Sequence, residues 1–256
     1  MPWRYLLSPP LGGPENMALD EALMARARRT GESVFRVYSW SSPTLSLGRN
    51  QRARGLYDPE RLSVRGVGVV RRPTGGRALL HHREITYSVT GPCAPDGALH
   101  IEYARINALL VSALAALGAP VTAAAPASRA PRPTSTPCFA EPARGELVLG
   151  GRKLVGSAQW RDRGALLQHG SILIDDDQGT IPELMREAMA RPERAATLRG
   201  ALGRPPSVGE VAEALFEAVR AHADAGARPL EEDALLARDA ADLGARYRDE
   251  AWTWRR

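Results

Sequence analysis

The sequence has one lysine, two cysteines, few aromatic residues and no long apolar run. Only 5% of the residues are aromatic, so the stacking surfaces that bind single-stranded nucleic acid are scarce. No segment approaches the roughly 20 consecutive apolar residues that span a bilayer. We therefore expect neither nucleic acid nor a membrane among the partners of this chain.

Patterns for secretion, disulfides and metals are also missing. The N-terminal residues lack the basic start and apolar stretch of a secretory signal, and Cys93 and Cys138 are too few for a disulfide framework. No CxxC, HExxH or other compact ligand cluster is present. These absences predict a cytoplasmic protein with reduced thiols, without a metal site and without a bound cofactor.

What is present is enough for one sizeable core and a basic surface. The chain has 256 residues, of which 44% are hydrophobic, and its net charge is +5. The arginines are dispersed along the chain, whereas a nucleic-acid footprint would gather them in a stripe. A basic surface of this kind fits an acidic protein partner.

Hydrophobic periodicity predicts an α+β fold. Apolar residues recur at helical spacing in four stretches, and short apolar runs bounded by turn residues indicate strands. Most strands come before the last helices, which does not favour a regular βαβ sheet. Ser207 and Glu210 have the spacing of a capping box. The expected helices are 15–29, 101–117, 208–223 and 230–246, and the expected strands are 34–39, 44–48, 67–70, 84–89, 146–149, 152–155 and 165–174.

One candidate binding segment is Arg71-Arg72-Pro73-Thr74-Gly75-Gly76, between two predicted strands. Adjacent glycines let a ligand lie against bare backbone N–H groups. The two arginines could hold a phosphate or polarise a carbonyl. The alternative is an ordinary connection between strands that carries surface arginines.

A second candidate is the one lysine, which follows a cysteine. Of the 34 lysine and arginine residues, 33 are arginine, so retention of Lys153 suggests that a compact ammonium is needed there. Cys138 lies 15 residues upstream, and the Gly150-Gly151 pair predicts a tight hairpin turn before the lysine. An ammonium beside a thiol lowers the pKa of the thiol. The alternatives are a stray lysine and a cysteine that packs as a small hydrophobic residue.

The histidines are the third candidate group. His81 and His82 follow the glycine pair, and His169 lies in the strand expected over 165–174. Without a metal-binding pattern, they are expected to form a polar wall or to support substrate-binding groups. Each could equally be a hydrogen-bonded core residue.

Six segments of the chain, including the arginine–glycine loop, the segment with Lys153 and those with the histidines, together resemble the biotin/lipoate protein ligase catalytic superfamily. They occur in the order found in that family and cover about residues 3–175. The resemblance implies an α+β catalytic domain over 1–225, with a mixed β-sheet flanked by helices. A C-terminal helical extension over 226–256 is expected to pack on the same domain, and we expect a monomer. The segments are NMALDE (16–21), LGRNQ (47–51), RRPTGG (71–76), HHREITYS (81–88), GRKLVGSAQ (151–159) and QHGSIL (168–173).

Within that superfamily, the chain is most similar to octanoyltransferases that act on the glycine cleavage H protein. This closer resemblance rests on Pro137-Cys138-Phe139 followed by ELVLGGRK (146–153). In those enzymes a cysteine at this place carries an acyl thioester, and the lysine of the GRK segment lowers its pKa. His82 departs from the pattern, since an aspartate is expected at that position.

The resemblance implies a function in lipoate biosynthesis. An octanoyl group would pass from octanoyl-acyl carrier protein, through a thioester on Cys138, to a lysine of the glycine cleavage H protein or another lipoyl domain. Cys138 and Lys153 are the implied catalytic residues. The residues expected to bind substrate are Arg71, Arg72, Thr74, Gly75, Gly76, His81, His82, Gly156, Ser157, Ala158 and His169.

Three other functions stay open at this point. An ATP-dependent lipoate–protein ligase has the arginine–glycine loop and the lysine, but generally lacks the cysteine. An octanoyl amidotransferase that moves the group between two lipoyl domains uses similar cysteine–lysine chemistry. A scaffold that only docks lipoyl domains would bind without turnover. ATP dependence, donor preference and turnover distinguish these functions.

Overall fold

The structure is a computed structural model that describes residues 1–94, 97–124 and 145–256. Two β-sheets are covered by helices, which confirms the predicted α+β class. The strands are β1 (Trp3–Leu7), β2 (Ser33–Tyr38), β3 (Thr44–Leu47), β4 (Gly68–Arg71), β5 (Leu79–His81), β6 (Glu84–Pro92), β7 (Thr122–Ala123), β8 (Leu147–Leu149), β9 (Arg152–Asp162), β10 (Ala165–Leu173) and β11 (Arg228–Pro229). The α-helices are α1 (Gly13–Thr30), α2 (Pro59–Val64), α3 (Leu99–Ala116), α4 (Leu198–Leu202), α5 (Val208–His222), α6 (Ala234–Arg248) and α7 (Glu250–Thr253), and a 3-10 helix spans Gln178–Leu184.

The larger sheet is mixed and has the strand order β11-β1-β2-β6-β10-β9-β8-β7. β1 runs parallel to β2 and β11, and the other neighbours pair antiparallel. The strands β2 and β10 are buried along their whole length. The main apolar core lies between this sheet and the helices α3 and α5, and includes Phe35, Tyr87, Leu110, Leu166 and Phe216.

The smaller sheet has the order β4-β3-β5. β3 runs parallel to β4 and antiparallel to β5. Its side chains Leu45 and Leu47 pack in a separate apolar cluster with Tyr57, Leu80 and Leu184. Since β4 ends at Arg71 and β5 starts at Leu79, this sheet presents the arginine–glycine loop.

The first helix, α1, closely matches the predicted 15–29. Pro14 suits its first turn, where the backbone N–H has no helical partner. Gly31 ends it with a φ of 70°, in the left-handed region that favours glycine. Two polar residues between its apolar positions, Asp20 and Arg26, are buried. The helix therefore carries polar groups into the interior.

Two local predictions are confirmed in detail. Gly150 and Gly151, with φ of 56° and 77°, join β8 to β9 in the turn expected of a glycine pair. Ser207 Oγ accepts a hydrogen bond from the Glu210 N–H, and the Glu210 carboxylate accepts one from the Ser207 N–H. This capping box begins α5 one residue after Ser207.

The last part of the chain returns to its beginning. β11 pairs beside β1, and α6 packs along α1, where Leu236 contacts the cluster that includes Leu23 and Val34. Arg246 of α6 forms an ion pair with Glu21 of α1. Throughout residues 1–94, 97–124 and 145–256, helices with the length and apolar character needed to cross a membrane are absent.

Candidate active site

Lys153 lies near the start of β9 and is buried with an acidic partner. Its side chain is 1% exposed, and Nζ donates to Glu146 Oε1 at 2.7 Å. Pairing with Val148 across the hairpin fixes its position on the strand. A buried ammonium is tolerated where a counter-charge compensates its lost hydration. Glu146, which was not among the predicted site residues, therefore supports a charged lysine here.

Cys138 lies outside the described residues, in the segment 125–144, but the residues that flank that segment lie together. The Ala124 N–H donates to Glu146 O at 2.7 Å, and the Gly145 N–H donates to Ala124 O at 3.3 Å. These bonds continue the pairing of β7 with β8. Ala124 and Gly145, which flank that segment, therefore lie at the β7 edge of the sheet, and Glu146, the partner of Lys153, directly follows Gly145.

Arg71 uses its donors to hold the arginine–glycine loop in place. The side chain is buried, and it donates to the carbonyl oxygens of Gly48 at 2.6 Å, Gln51 at 2.9 Å and Thr253 at 2.8 Å. These bonds join β4 to the end of β3 and to the C-terminal helix α7. Direct contact between Arg71 and a substrate stays a prediction.

Arg72 folds back onto its own loop. It donates to Ser46 O at 3.0 Å, to Gly75 O at 2.8 Å and to Arg77 O at 2.7 Å. The guanidinium therefore spans the loop from one side to the other and fixes the shape of the glycine pair. A substrate contact of Arg72 also stays a prediction.

The glycine pair is held against β3 by a close approach. A Cβ built on Gly48 would lie 1.9 Å from Gly76 O, so only glycine fits at position 48. Gly76 itself has a φ of 95°. By contrast, no described atom lies within 4 Å of a Cβ built on Gly75. Gly75 therefore borders open space, as a backbone that a ligand approaches would.

Thr74, His169 and Asp20 form one chain of hydrogen bonds beneath this loop. Thr74 Oγ1 lies 2.7 Å from His169 Nε2, and His169 Nδ1 lies 3.0 Å from Asp20 Oδ2. All three side chains are buried. The structure thus brings together two predicted residues, Thr74 from the loop and His169 from β10, through an aspartate of α1.

Asp20 also accepts hydrogen bonds from three further donors. Arg36 Nη1 lies 2.8 Å and Ser88 Oγ 2.7 Å from Oδ1, and Tyr38 donates to Oδ2 at 3.0 Å. Burial opposes ionisation, but the hydrogen bond from His169 and the charge of Arg36 hold the pKa of Asp20 below its ordinary value. Since an ionised carboxylate only accepts, His169 carries a proton on Nδ1.

Sequence reasoning missed Asp20, although a signal was present. Asn16 and Asp20 are four residues apart, and they lie on the same face of the helix as Leu23 and Ala27. All four residues are buried. Polar residues on the apolar stripe of a helix indicate a buried network, and Arg36 binds both Asn16 Oδ1 and Asp20.

His81 and His82 each have an acidic partner of their own. His81 is buried, with Nδ1 3.1 Å from Glu84 Oε1, and its ring stacks on Trp40 at 4.0 Å. Burial lowers the pKa of His81. His82 is exposed, and its Nδ1 lies 3.0 Å from Asp177 Oδ2. The position where an aspartate was expected therefore holds a histidine that faces an aspartate.

The remaining predicted residues follow one another along β9 and pair with β10. Gly156 pairs with Ser171, Ser157 with Gly170, and Ala158 with His169. Ala158 therefore lies beside the histidine that contacts Thr74.

Ser157 begins a polar row on the side of the sheet that α3 covers. Ser157 Oγ lies 2.7 Å from the Tyr87 hydroxyl, which accepts from Gln168 Nε2 at 2.8 Å. Gln168 Nε2 also lies 3.3 Å from Asn107 Oδ1, and Asn107 Nδ2 donates to Gly145 O at 2.6 Å. The row therefore joins Gly145, which directly follows the segment 125–144, to the middle of the sheet.

These residues define an elongated site along β9. Lys153 and Ala158 are five residues apart, or about 17 Å at the rise of an extended strand. The ammonium and Glu146 lie at one end, and the glycine loop with His169 lies at the other. In the described part of the chain, acidic, histidine and cysteine side chains are nowhere grouped to hold a metal ion.

Comparison with known proteins shows which family the chain belongs to. Residues 13–220 match the family described as the lipoyl protein ligase A/B catalytic domain. The chain is 41% identical to octanoyltransferase LipM of Kyrpidia tusciae and 35% identical to octanoyltransferase LipM of Exiguobacterium sibiricum, over 99% of both partners in each case. Its fold is similar to that of a bi-partite lipoate protein ligase from Thermoplasma acidophilum, with a TM-score of 0.78 and 20% identity over 99% of this chain and 96% of that one. The predicted resemblance is confirmed, and the chain belongs to the lipoyl protein ligase A/B catalytic domain family and, within it, to the LipM-type octanoyltransferases.

Proposed function

We propose that this enzyme transfers an octanoyl group from octanoyl-acyl carrier protein to a lysine of the glycine cleavage H protein or of another lipoyl domain, through a thioester on Cys138. The observation that carries the proposal is the buried Lys153–Glu146 pair beside Ala124 and Gly145, the described residues on either side of the segment that contains Cys138. Similarity to LipM octanoyltransferases along the whole chain supports the same assignment.

In the first step, the Cys138 thiolate attacks the carbonyl carbon of the donor thioester. A carbon–sulfur bond to Cys138 forms, the bond to the carrier sulfur breaks, and the carrier leaves as a thiolate that takes up a proton from solvent. One thioester replaces another, so the step needs no ATP. The Lys153 ammonium favours the thiolate of Cys138 and stabilises the negative charge that develops on the carbonyl oxygen.

In the second step, the unprotonated amine of the acceptor lysine attacks the octanoyl-cysteine. A carbon–nitrogen bond forms, the carbon–sulfur bond breaks, and the amine gives up one proton to solvent. The Cys138 thiolate is released and stabilised again by Lys153. The step runs toward product because an amide is more stable than a thioester.

Glu146 acts on this chemistry through Lys153. An ammonium has three N–H donors, and the bond at 2.7 Å to Glu146 Oε1 directs one of them. The carboxylate compensates part of the hydration that the buried ammonium has lost. It also fixes Nζ at one place on β9.

A reconstituted transfer assay tests the function against its alternatives. Purified enzyme is incubated with octanoyl-acyl carrier protein and apo H protein without ATP, and the mass of the H protein is followed. We expect the mass gain of one octanoyl group. Modification only with free lipoate and ATP would indicate a ligase. Transfer only from an octanoylated lipoyl domain would indicate an amidotransferase, and binding without any mass gain would indicate a scaffold.

A further inference from the structure

Two arginines beside the glycine loop lie over tryptophan rings. The guanidinium carbon of Arg49 is 4.9 Å from the ring centre of Trp160, and that of Arg255 is 4.0 Å from the ring centre of Trp252. Arg255 Nη2 donates to Arg49 O at 2.7 Å, so the two residues are neighbours. Stacking holds a guanidinium flat and leaves its N–H edge available to a carboxylate.

The guanidinium groups of these arginines and their neighbours are close enough to repel one another. Burial and the neighbouring Arg49 and Arg256 lower the pKa of Arg255. Beneath it, burial and the charges of Arg255, Arg256 and Arg72 lower the pKa of Arg71 to about 10. A negative partner at this surface would relieve the repulsion between the guanidiniums.

Carboxylates do not neutralise this group from within the described residues. Arg49 and Arg255 take part in none of the ion pairs there, although Arg199 and Arg220 elsewhere on the surface each bind a carboxylate within 2.6 Å. Beside them, Arg52, Arg54 and Arg256 are exposed and likewise unpaired among those residues. The Arg54 N–H donates to Arg256 O at 2.7 Å, which keeps the two chain segments together.

We propose that Arg49 and Arg255, with the exposed Arg52, Arg54 and Arg256, form the docking surface for acidic side chains of the acyl carrier protein that delivers the octanoyl group. We call this set the arginine surface. The inference rests on the proposed function and adds the place where the donor binds. A cluster of unpaired guanidiniums attracts a carboxylate-rich protein and raises its association rate.

The position of the arginine surface favours the donor over the acceptor as its partner. Trp160, which lies under Arg49, is seven residues along β9 from Lys153, roughly 23 Å at the rise of a strand. An acyl carrier protein holds its thioester on a long flexible prosthetic arm, which can cover such a distance. The acceptor presents a lysine side chain, which is much shorter and must dock closer to the reacting atoms.

The arginine surface also lies where the arm can enter the site. The Arg49 N–H donates to Thr74 O at 2.7 Å, and its Nη1 lies 3.5 Å from Pro73 O. A carrier docked on Arg49 therefore meets the glycine loop directly. The arginine surface extends over two chain segments. It is therefore wide enough for several carboxylates of a protein, whereas the arm carries a single phosphate.

The test varies the charge at position 255 and measures binding and turnover separately. The variants are Arg255→Lys, which keeps the charge, Arg255→Gln, which keeps hydrogen-bonding groups without charge, and Arg255→Glu, which reverses it. Arg238→Glu, on the exposed side of α6 with a side chain 78% exposed, is the control with the same net charge. Affinity for carrier protein is measured by fluorescence anisotropy, and kcat/KM is measured with octanoyl-acyl carrier protein.

We expect the loss in kcat/KM to depend on the charge of the side chain at position 255. Arg255→Lys stays near wild type, Arg255→Gln loses a few-fold, and Arg255→Glu loses about tenfold in kcat/KM through a higher KM for the carrier. Arg238→Glu leaves KM unchanged. We expect carrier protein without its prosthetic arm to bind the wild-type enzyme with the same affinity as carrier protein that has the arm. With the neutral donor octanoyl-N-acetylcysteamine, octanoylation of the enzyme proceeds alike in all variants.

Several results would overturn the inference. Equal losses in Arg255→Lys and Arg255→Gln would indicate a structural role of the bond to Arg49 O. An equal loss in Arg238→Glu would indicate net charge alone. A raised KM for the acceptor instead of the donor would assign the surface to the lipoyl domain, and dependence of binding on the arm would assign it to the phosphate.

The binding assay separates this inference from the proposed function. If wild type binds the carrier and Arg255→Glu does not, while neither donor octanoylates the enzyme, the docking surface stands and the proposed transfer fails. If the small donor octanoylates wild type but carrier binding is indifferent to charge at position 255, the transfer stands and the docking surface fails.

Discussion

Lys153 is the residue on which the proposed chemistry depends, and its environment leaves little room for a larger cation. The side chain is 1% exposed and held by Glu146. We expect Lys153→Arg to lower kcat about a hundredfold, because the planar fork cannot place a point charge where the ammonium lies. The measurement is single-turnover transfer from octanoyl-acyl carrier protein, with Arg152→Lys, at the exposed neighbouring position, as the control. A wild-type rate in Lys153→Arg would show that charge alone suffices.

Glu146 gives a second prediction at this scale. Glu146→Ala removes the carboxylate that lies 2.7 Å from the buried Nζ of Lys153, so the ammonium loses a counter-charge and a contact that fixes its position. We expect transfer to fall at least as far as in Lys153→Arg. Glu146→Gln keeps an oxygen that accepts from Nζ and should retain part of the activity. Equal rates in Glu146→Ala and wild type, across a pH profile of kcat/KM, would contradict this role.

Asp20 gives a prediction about stability. Asp20→Asn removes the carboxylate that forms a buried ion pair with Arg36, and we expect a loss of about 3 kcal/mol in the free energy of unfolding. The pKa of Asp20 is lowered in the folded state. Its contribution is therefore present above about pH 4, the range of the unfolded carboxyl, and is lost as the pH falls through the lower folded pKa. Urea unfolding should show wild type and variant converging only at acidic pH.

Asp175→Asn is the matched control for Asp20. Asp175 binds the exposed Arg199 at 2.6 Å, and an exposed ion pair contributes little because water and salt screen it. We expect its unfolding free energy to stay within about 1 kcal/mol of wild type. A loss as large as that of Asp20→Asn would show that burial does not set the difference.

Sequence reasoning could single out Lys153 because composition isolates it, and could single out the arginine–glycine loop because glycine pairs are local signals. It could not join Thr74, His169 and Asp20, which come from a loop, a strand and a helix far apart in the chain. Such contacts depend on tertiary packing. It predicted that Arg71 and Arg72 bind substrate, which stays a prediction, but it could not foresee that both side chains also donate to backbone carbonyls.

At the scale of elements, two glycines at the loop between β4 and β5 have different roles. Gly48 packs against the loop and supports its shape, whereas Gly75 borders open space. We expect Gly75→Ala to fold like wild type, within about 0.5 kcal/mol, since no described atom lies near the added methyl group. Its kcat/KM should fall about tenfold, because the methyl group takes space that the acyl chain needs. Gly48→Ala, whose Cβ would meet Gly76 O, should lose stability and activity together.

Gly179→Ala is the control for both glycine variants. It also has open space around the added methyl group in the described residues, but it lies in the 3-10 helix. We expect neither its stability nor its kcat/KM to change. Unchanged activity in Gly75→Ala would show that the acyl chain does not lie against the loop.

The elements that sequence predicted best are those with local signals. The capping box at Ser207 and the glycine pair before Lys153 each determine structure within a few residues. β1, with five residues, and β5, with three, were missed. Short strands depend on distant partners, here β2 and β3, and their periodicity is too brief to recognise.

At the scale of the whole molecule, one sheet connects the parts that transfer would use. Ala124 and Gly145, which flank the Cys138 segment, lie near the start of β9 that carries Lys153, and the arginine surface lies near the other end of β9. Similarity to LipM octanoyltransferases extends over 99% of the chain. The family could be predicted because its motifs occur in order, whereas the donor surface combines the segment after β3 with the C-terminal residues and needed the fold.

Intact-mass spectrometry of the enzyme after incubation with octanoyl-acyl carrier protein, without acceptor, tests the central claim most directly. We predict a single octanoyl adduct that hydroxylamine removes, that peptide mapping locates at Cys138 rather than at Cys93, and that is absent from Cys138→Ala. An adduct that persists in Cys138→Ala, or full transfer to the acceptor by that variant, would contradict a thioester on Cys138.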